Sequence, residues 1–398
     1  MSRWTTWCPL TRKRTSIHSS TENLTENSQR SIDDAWMARA ILLAHRGVAQ
    51  THPNPMVGAI VVKNDRSVGE GSHTYAGRKH AEILALEGAA GDARGATLYL
   101  NLEPCCHTGR TGACTSAIIE AGIKRVVAAM QDPNPKVAGR GFRALRSAGV
   151  EVSVGIREQD ARRLNEPFAK WIQTGSPFVT LKTALTLDGQ IAAPGGSSTT
   201  WITSPESREE VHRLRHASDA LLTGIGTVLA DDPRLTDRSG LPRRRLLLRA
   251  IVDSKLRISP RSKIVKSTSN DVLLFTTQPQ TSAKAKQLTK RGVEVVRARA
   301  RKGHADLRVV LRELGRREIL SVILEAGSEL NGAMLDAGLV DKMILFYAPR
   351  VLGTVTVPVA KHRTRAIQKI PMLQNIALHR FGPDFAVEGY FHDVYRNH

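Results

Sequence analysis

The sequence predicts two α/β domains in succession, each with helices packed on the faces of a sheet. Three observations indicate this fold class. The length of 398 residues favours two or three domains. Short apolar runs that are typical of strands alternate with segments of helical periodicity, as they do in α/β proteins. The alternation then restarts after a Gly-Ser pair, so we place a domain boundary near Gly175–Ser176.

The first half is predicted to begin with a helix. Ser31 is a suitable N-cap, two aspartates suit the first turn, and Gly47 suits the end. Residues 1–30 lack hydrophobic periodicity, and we expect a disordered N-terminal arm there. The following elements are strands at 57–63, 96–103, 124–130 and 150–155, a strand or loop at 67–75, and helices at 80–89, 114–122 and 141–149.

The second half shows the same alternation. Ser204 is the expected N-cap of its first helix. The predicted strands are 178–185, 220–226, 246–253, 271–277, 293–298 and 321–327, the helices are 204–218, 305–316 and 331–338, and a closing pair of strand segments lies within 381–392. No Gly-x-Gly-x-x-Gly motif follows a strand in this half, so a dinucleotide-binding fingerprint of that kind is not predicted.

The chain is strongly basic, with a formal charge of +21 and a pI near 10.4. Such a charge suits a polyanion, a phosphorylated substrate, or simply an Arg-rich composition. Aromatic residues make up only 5%, and basic residues are scattered apart from 242–249 and 297–302, so a specific nucleic-acid partner is not expected. No apolar run reaches the roughly 18 residues of a transmembrane helix. Residues 1–30 lack a secretory apolar segment and only mildly resemble an organellar transit peptide, so we expect a cytoplasmic location.

Three of the four cysteines lie within one stretch, EPCCHTGRTGAC. Disulfides do not explain this stretch easily, because Cys105 and Cys106 are adjacent and Cys8 lies in the polar arm. A metal site with His80, Cys105 and Cys114 as ligands is the other interpretation. One imidazole and two thiolates leave a fourth tetrahedral position for water, which is the pattern of a catalytic zinc. Cys106 could replace Cys105, although the preceding proline favours Cys105, and a chance cluster beside a core histidine is the remaining alternative.

Glu82 lies two residues after His80, in the sequence HAE. At the start of a helix this spacing directs the two side chains differently, so His80 can bind the metal while Glu82 reaches the reacting water. Zinc lowers the pKa of water towards about 7, which gives hydroxide at neutral pH. Glu82 can then carry a proton to the departing amine. These are the requirements of a hydrolytic deaminase that acts on a nucleobase-like amidine.

The stretches THPNPMVGAIVVK, HAEILAL, LEPCCHTGRTGAC and RVVAAMQDPNPKVAGRG resemble the deaminase half of the bifunctional riboflavin biosynthesis deaminase/reductase family. Cytidine and tRNA adenosine deaminases use Pro-Cys-x-x-Cys, and Thr108 stands where that second cysteine would be. The resemblance implies a cytidine-deaminase-like three-layer α/β/α domain over 31–175. It also implies substrate contacts from Asn54, His73, His107 and Arg110. Without the resemblance, the two histidines would be interpreted as exposed loop residues.

The second half resembles the reductase half of the same family in LKTALTLDGQIA, WITSPESREEVHRLRHASDALLTGIGTVLADDPRLTDR, VILEAGSELNGAML and GLVDKMILFYAPRVLG. The resemblance implies a dihydrofolate-reductase-like α/β domain over 176–398 that uses NADPH. It places at the NADPH site Ala184, Trp201, Thr227, Asp231, Ser254 and the loop of Gly327, Ser328, Glu329, Leu330, Asn331, Gly332 and Ala333. It assigns substrate contacts to Thr199, Arg215, Leu235, Arg238 and Glu325. Asp231 is also the predicted catalytic residue of this half.

Two of these assignments have structural alternatives. Arg215 could belong to a solvated helix face. Asp231 and Asp232 could merely shape the turn before Pro233, as Asp-Pro sequences often do.

Together the two halves predict a bifunctional enzyme that holds one Zn²⁺ per chain and uses NADPH. The first domain would hydrolyse the amine of 2,5-diamino-6-(5-phosphoribosylamino)pyrimidin-4(3H)-one. The second would reduce the ribosyl group of 5-amino-6-(5-phosphoribosylamino)uracil to ribityl, and we expect a homo-oligomer. The alternatives are a nucleic-acid deaminase, which the cysteine spacing disfavours, and a non-enzymatic zinc protein. Glu82 disfavours the latter, because a structural zinc site needs no acid–base carboxylate.

Overall fold

The computed structural model describes residues 20–75, 78–106, 113–192, 201–353, 357–361 and 372–395. The first half contains α1 (Ser20–Ala44), β1 (Gly58–Lys63), β2 (Arg66–Ser72), α2 (Ala81–Ala89), β3 (Thr97–Leu100), α3 (Cys114–Glu120), β4 (Arg125–Ala128), α4 (Arg140–Ser147), β5 (Glu151–Val154) and α5 (Glu158–Thr174). Short 3-10 helices at His45–Gly47 and Ala90–Ala93 follow α1 and α2. The predicted strand or loop at 67–75 is therefore a strand, β2.

The five strands of this half form one sheet in the order β2–β1–β3–β4–β5. β1 is antiparallel to β2 and β3, whereas β3, β4 and β5 run parallel. The central strands β1, β3 and β4 are almost wholly buried, because their continuous apolar runs meet helices on both faces. The arrangement is the three-layer α/β/α fold that the sequence predicts.

Two glycines allow α1 and α2 to lie against opposite faces of this sheet. A Cβ atom on Gly58 in β1 would stand 2.1 Å from the carbonyl oxygen of Ala40 in α1. A Cβ atom on Gly71 in β2 would stand 2.1 Å from the carbonyl oxygen of Ala81, the first residue of α2. Gly71 pairs with Ala59, the neighbour of Gly58, so the two glycines face opposite sides of the pleated sheet. The close contact at Gly71 fixes where α2 begins.

The prediction that order begins at Ser31 is wrong. α1 already starts at Ser20, so Ser31 lies inside the helix and is not its cap. Residues 20–30 contain neither Gly nor Pro. The side-chain amide of Gln29 also donates to Asp33 at 3.0 Å, one helical turn away, which supports the helix on the N-terminal side of Ser31. Residues 1–19 of the predicted arm lie outside the described residues.

The second half contains a larger set of elements. In chain order they are β6 (Phe178–Thr186), β7 (Gln190–Ala192), α6 (Pro205–Ala217), β8 (Ala220–Gly224), α7 (Ile225–Asp231), β9 (Leu248–Val252), α8 (Lys263–Lys266), β10 (Val272–Thr276), α9 (Ala283–Thr289), β11 (Val293–Arg297), β12 (Ala300–Arg301), β13 (His304–Ala305), α10 (Leu307–Arg316), β14 (Ser321–Leu324), α11 (Ser328–Asp336), β15 (Lys342–Ala348), β16 (Val357–Pro358), β17 (Gln374–Phe381) and β18 (Asp384–Tyr390).

Nine of these strands form one sheet in the order β11–β10–β9–β8–β14–β6–β15–β18–β17. The strands from β11 to β15 run parallel, and β18 and β17 complete the sheet in antiparallel fashion. In sheets of this kind, ligands bind outside the carboxyl ends of the parallel strands. The carboxyl ends of β8, β9 and β14 lie side by side, and the residues that follow them are predicted site residues.

α5 has no counterpart in the sequence prediction. Pro167 and the non-helical backbone of Asn165 interrupt its pattern, because proline removes a helical hydrogen bond. The helix ends at Thr174, and β6 starts the larger sheet at Phe178. We therefore propose the domain boundary at Gly175–Ser176, in the connection between the two sheets.

Two predictions for the second half are also wrong. The predicted strand 220–226 ends earlier, because the chain passes from Gly224 directly into α7 instead of into the glycine turn that residues 224–226 suggest. The segment Gly327–Ala333 is not a loop, because Gly327 is the N-cap of α11 and the following residues are helical. In the part of the chain that the structure describes, no helix combines the length and the apolar character needed to cross a membrane.

Candidate functional site

The three predicted metal ligands meet in the first half. His80 is the N-cap of α2, Cys114 is the first residue of α3, and Cys105 follows β3. Nδ1 of His80 lies 3.1 Å from Sγ of Cys114 and 3.7 Å from Sγ of Cys105. All three potential ligand atoms lie within 4.8 Å of one another. One imidazole nitrogen and two sulfurs form a donor set that suits tetrahedral Zn²⁺.

The two thiols of this group have different proton affinities. The hydrogen bond from the Cys114 thiol, followed by the one from His80, lowers the pKa of the Cys105 thiol to about 4. The same hydrogen bond to Cys105, together with burial, raises the pKa of the Cys114 thiol. The backbone N–H of Cys114 also donates to Sγ of Cys105 at 3.5 Å. The lowered pKa favours the thiolate form of Cys105, the form in which cysteine binds a metal.

Cys106 does not belong to this group. It is half-buried and adjacent to Cys105. Among the described residues, the group of potential metal ligands consists of His80, Cys105 and Cys114. The geometry therefore favours the assignment in which Cys105 is the ligand.

Glu82 lies in the first turn of α2, beside the predicted ligands. Its side chain is buried, with 5% exposed, and burial raises the pKa of its carboxyl group. The nearby His80 partly opposes the shift. The helix start thus places a predicted metal ligand and the predicted acid–base carboxylate side by side.

Glu103 holds the backbone around the site in place. Its carboxylate is buried and accepts the backbone N–H groups of Asp132, Gly139, Gly141 and Phe142, at 2.8 to 3.2 Å. Glu103 directly precedes the Pro-Cys pair. These four bonds therefore join the segment after β4 to the stretch that contains Cys105, Cys106 and Cys114, which we call the ligand loop. The sequence motifs do not indicate this role. A charged residue at the carboxyl end of the predicted apolar strand 96–103 is the signal that could have revealed it.

Asn54 and His73 form a hydrogen-bonded pair that contacts His80. Nδ2 of Asn54 lies 2.9 Å from Nε2 of His73, and Nδ1 of His73 lies 3.2 Å from the carbonyl oxygen of Lys79. Burial lowers the pKa of His73, and its ring meets that of His80 edge-on at 5.4 Å. His73 is therefore not an exposed loop residue, and both its nitrogens have protein partners.

A cavity of about 570 Å³ adjoins these residues. This volume is in the range of small-molecule sites. Its first-half lining includes Asn54, His73, Arg78, His80, Glu82, Glu103, Cys105, Asp132, Phe168 and Trp171, and the second half contributes Arg244, Arg245 and Glu318. Burial raises the pKa of Asp132 to about 7. The predicted substrate residues His107 and Arg110 lie outside the described residues.

A buried ion cluster lies beside the carboxyl edge of the larger sheet. Arg215 donates to Glu325 through Nε and Nη2, at 2.6 and 2.9 Å. Nζ of Lys182 lies 3.6 Å from the same carboxylate. Burial opposes ionisation of Glu325, but Lys182 and Arg215 lower its pKa to about 2. Arg215 is therefore not on a solvated face.

Lys182 is a candidate that the sequence analysis does not identify. It lies on β6, where alternate residues are buried, and its ammonium group faces Glu325. Burial lowers the pKa of this lysine, and Glu325 partly restores it. A lysine between buried positions of an apolar strand is the signal that could have indicated it.

The predicted NADPH residues are spread along the same edge. Thr227 in α7 accepts a hydrogen bond from the backbone N–H of Gly327 at 3.2 Å, which joins α7 to the start of α11. Ser254 follows β9 and accepts the N–H of Ala305 at 2.9 Å. Ala184 is half-buried on β6, whereas Trp201 is exposed. Thr199 lies outside the described residues.

The predicted cofactor residues of α11 fall into two groups, those that pack against the segment 357–361 and the others. Asn331 is buried and donates to the carbonyl oxygens of Ala326 and Val359, and a Cβ atom on Gly332 would stand 2.1 Å from the carbonyl oxygen of Lys361. These two residues thus pack against the segment 357–361. Ser328 is buried, Leu330 and Ala333 are half-buried, and Glu329 is exposed and pairs with Lys361 at 2.8 Å.

Asp231 and Asp232 differ in their environments. Asp232 has a positive φ of 41° and accepts the N–H of Lys263 at 2.7 Å, so it shapes the end of α7. Asp231 is the last helical residue and is exposed. Nearby, Leu235 is buried and Arg238 is exposed. The turn before Pro233 thus depends on Asp232, which leaves Asp231 as the candidate for chemistry.

Two family models match the chain. One, described as the RibD C-terminal domain, matches residues 177–387, and another, described as the cytidine and deoxycytidylate deaminase zinc-binding region, matches residues 30–130. The chain is 44% identical over 336 residues to the riboflavin biosynthesis protein RibD of Escherichia coli, which covers 81% of this chain and 89% of that protein. It is 37% identical over 375 residues to RibD of Bacillus amyloliquefaciens, which covers 92% and 100%.

Two solved structures are also similar to this chain in sequence and in fold. RibD of Acinetobacter baumannii has a TM-score of 0.80 and 36% identity, and the match covers 91% of this chain and 99% of that one. The diaminohydroxyphosphoribosylaminopyrimidine deaminase/5-amino-6-(5-phosphoribosylamino)uracil reductase of Thermotoga maritima gives the same TM-score, identity and coverage. Both halves of the chain therefore match in sequence and in fold.

Proposed function

The chain belongs to the RibD family of bifunctional deaminase/reductases of riboflavin biosynthesis, and on this premise we propose how its own residues perform the two reactions. His80, Cys105 and Cys114 hold Zn²⁺ in the deaminase domain, residues 31–175. The convergence of these three side chains with the buried Glu82 on one cavity carries the proposal. The reductase domain comprises residues 176–398.

Deamination replaces an amine on the pyrimidine ring by oxygen. A bound zinc ion supplies the Lewis acidity that makes water nucleophilic at neutral pH. Glu82 takes a proton from the attacking water and gives it to the departing amine. The water oxygen bonds to the ring carbon, the C–N bond breaks, and ammonia leaves. The substrate is 2,5-diamino-6-(5-phosphoribosylamino)pyrimidin-4(3H)-one.

Asn54 orients the pyrimidine in this proposal. Its amide nitrogen is bonded to His73, which leaves its carbonyl oxygen to accept a ring N–H. His73 acts through Asn54, because both of its nitrogens already have partners. The loop residues His107 and Arg110 are assigned to the ribose phosphate, as the family resemblance implies.

Reduction opens the ribosyl ring of the deaminated product. A hydride from NADPH adds to C1′ while the C1′–O bond breaks, and the ring oxygen takes a proton. Glu325, which Lys182 and Arg215 keep ionised, accepts hydrogen bonds from hydroxyl groups of the sugar. Asp231 supports the proton transfer. Thr199, Leu235 and Arg238 are the further substrate contacts that the family resemblance implies.

NADPH is assigned to the carboxyl edge of the larger sheet. The hydrogen bond from Gly327 to Thr227 brings two of the implied cofactor segments together, and Ser254 lies at the end of the neighbouring strand β9. Trp201, Ala184 and the exposed part of α11 complete the implied set. The buried Asn331 and Gly332 support α11 from behind, because they contact the segment 357–361.

Incubation of the pure protein with the pyrimidinone phosphate, followed by mass spectrometry, tests both halves. Without NADPH, the amine should be replaced by oxygen. With NADPH, the product should also gain two hydrogens. The Glu82→Gln variant should keep its zinc and lose deamination by several orders of magnitude, while it still reduces the deaminated substrate. Deamination that survives in this variant would contradict the role of Glu82.

A further inference from the structure

A basic stretch of the second half reaches the cavity of the deaminase domain. This stretch is PRRRLLLR, residues 242–249. Arg244 and Arg245 line the same cavity as His80, Glu82 and Cys105. The zinc cavity is thus closed on one side by residues that follow the proposed domain boundary, and neither arginine has a role in the two reactions described above.

Arg244 is fixed in place by the first half. Its backbone N–H donates to the carbonyl oxygen of Ala49 at 3.0 Å, and Nε donates to the carbonyl oxygen of Gln50 at 3.2 Å. Nη2 donates to the carbonyl oxygen of His52. These partners are neutral carbonyl groups, so the positive charge of Arg244 is not compensated by them. Within the described residues, Nη1 takes part in none of these bonds.

A second guanidinium contacts the same aromatic ring as that of Arg244. Cζ of Arg244 and Cζ of Arg78 each lie 5.2 Å from the ring centroid of Tyr75. Nε of Arg78 donates to the Tyr75 hydroxyl at 2.6 Å, so that arginine is also held in position. Arg78 lines the same cavity. Two positive charges thus line the wall of one cavity, and both would attract an anion inside it.

Arg245 differs from these two arginines. Its Nη2 lies 3.4 Å from Oε2 of Glu318, and both side chains are about half exposed. Glu318 therefore compensates the charge of Arg245 at the cavity wall. Of the two arginines that the second half contributes to this wall, Arg244 is therefore the one whose charge is not compensated.

We propose that Arg244 and Arg78 bind the phosphate of the deaminase substrate, in addition to the contacts that the family resemblance implies, so that the second half completes the deaminase site. The inference rests on the deamination proposed above. A phosphate monoester is a dianion at neutral pH, and guanidinium groups bind its oxygens with charge-assisted hydrogen bonds. The pyrimidine occupies the zinc end, near Asn54, and the cavity is large enough to hold the ribose phosphate as well.

A purely structural role for Arg244 gives a different expectation. Its three bonds to carbonyl groups also join the two halves, and loss of that contact would disturb every deaminase substrate equally. Loss of a phosphate ligand would affect only substrates that carry a phosphate. The dephosphorylated riboside of the same pyrimidine therefore separates the two roles.

The experiment measures deamination of the phosphorylated substrate and of its riboside by wild type, Arg244→Ala and Arg78→Ala. For the phosphorylated substrate we expect kcat/KM to fall about ten- to hundredfold in each variant, mainly through KM. The rate with the riboside should stay unchanged. Ribose 5-phosphate should inhibit wild type competitively and inhibit both variants more weakly. Arg78 is bonded within the first half, so its variant tests phosphate binding without the contact between halves.

Arg316→Ala is the matched control, because it removes an exposed arginine of the second half that pairs with Glu313. It should leave both substrates unaffected. Reduction of the deaminated substrate should stay normal in Arg244→Ala, which shows that the second half is folded. Equal losses with the two substrates, or no loss with the phosphorylated one, would overturn the proposal. Absence of deamination in wild type would instead contradict the proposed function.

Discussion

His80 and Glu82 lie two residues apart, yet the first is the proposed metal ligand and the second the proposed proton carrier. His80 has the extended backbone of an N-cap, with φ −68° and ψ 160°, whereas Glu82 is already helical. The change of backbone at Ala81 turns the imidazole towards the two sulfurs and buries the carboxylate beside them. The His-x-Glu spacing therefore predicts two different side-chain directions only where a helix starts. The helical periodicity of the residues that follow predicts such a start here.

The metal-ligand assignment predicts distinct outcomes for the three cysteines of the ligand loop. Cys105→Ser and Cys114→Ser should lose the zinc, because a serine hydroxyl is a far weaker zinc ligand than a thiolate. Cys106→Ser should keep one zinc ion per chain, because Cys106 is not part of the group. Metal analysis of the purified variants checks this prediction. Zinc loss confined to the Cys106 variant would show that the assignment is wrong.

Asp231 and Asp232 provide a matched pair in the reductase domain. We expect Asp231→Asn to bind NADPH and to melt normally but to lose reduction, because the exposed carboxylate at the end of α7 is the proposed proton-transfer group. Asp232→Asn should keep reduction, since an amide oxygen can still accept the N–H of Lys263. NADPH titration, thermal melting and initial rates of reduction check both variants. Normal reduction in Asp231→Asn would leave that residue without a catalytic role.

The elements differ in how well sequence patterns predict them. The apolar runs predict β1, β3, β4 and the parallel strands of the larger sheet, because buried strands need continuous hydrophobic sequence. α5 is obscured by Pro167, and the start of α1 by the polar segment 20–30, which has no apolar stripe. The elements that carry the proposed ligands are predictable from local motifs. The cluster around Glu325 was not predictable from spacing, because its three members come from β6, α6 and the end of β14.

The contact between β2 and α2 predicts that Gly71→Ala disturbs the zinc site. The new methyl group would stand 2.1 Å from the carbonyl oxygen of Ala81, so α2 must shift at the end that carries His80 and Glu82. Overpacking of this kind costs about 1–3 kcal/mol. We expect a lower melting temperature and weaker zinc retention against a chelator. Gly91→Ala is the control, because no atom lies within 4 Å of a Cβ atom there, and it should retain zinc like wild type.

The two halves are joined by contacts that cross the proposed boundary in both directions. Nε1 of Trp171 in α5 donates to the carbonyl oxygen of Gly315 at 2.9 Å. Near the other end of the chain, Tyr395 packs against the hydrophobic core of the first half, and its hydroxyl donates to the carbonyl oxygen of Arg162 at 2.7 Å. α5 thus bonds to α10 of the second half, and the first core receives a residue from the end of the second half.

Lys170 and Asp341 form a buried ion pair between α5 and the segment before β15. Asp341 has no exposed surface and also accepts the backbone N–H of Val179 at 2.7 Å, at the start of β6. Removal of one member of a buried pair leaves the other charge buried, which costs about 3–5 kcal/mol. His392, whose Nε2 lies 2.5 Å from Oδ1 of Asp341, offsets part of that cost when Lys170 is lost. We therefore expect Lys170→Met to lower the melting temperature substantially, with early loss of reductase activity on heating.

A matched double variant identifies the cause of that loss. Lys170→Met with Asp341→Asn should recover part of the stability, because the neutral amide oxygen still accepts the N–H of Val179 and no charge remains buried. Arg213→Gln, which breaks an exposed pair with Glu209 on α6, should change stability by less than about 1 kcal/mol. Differential scanning calorimetry of the three variants and wild type measures these effects. If Lys170→Met melted like Arg213→Gln, the contact between α5 and the larger sheet would not depend on this pair.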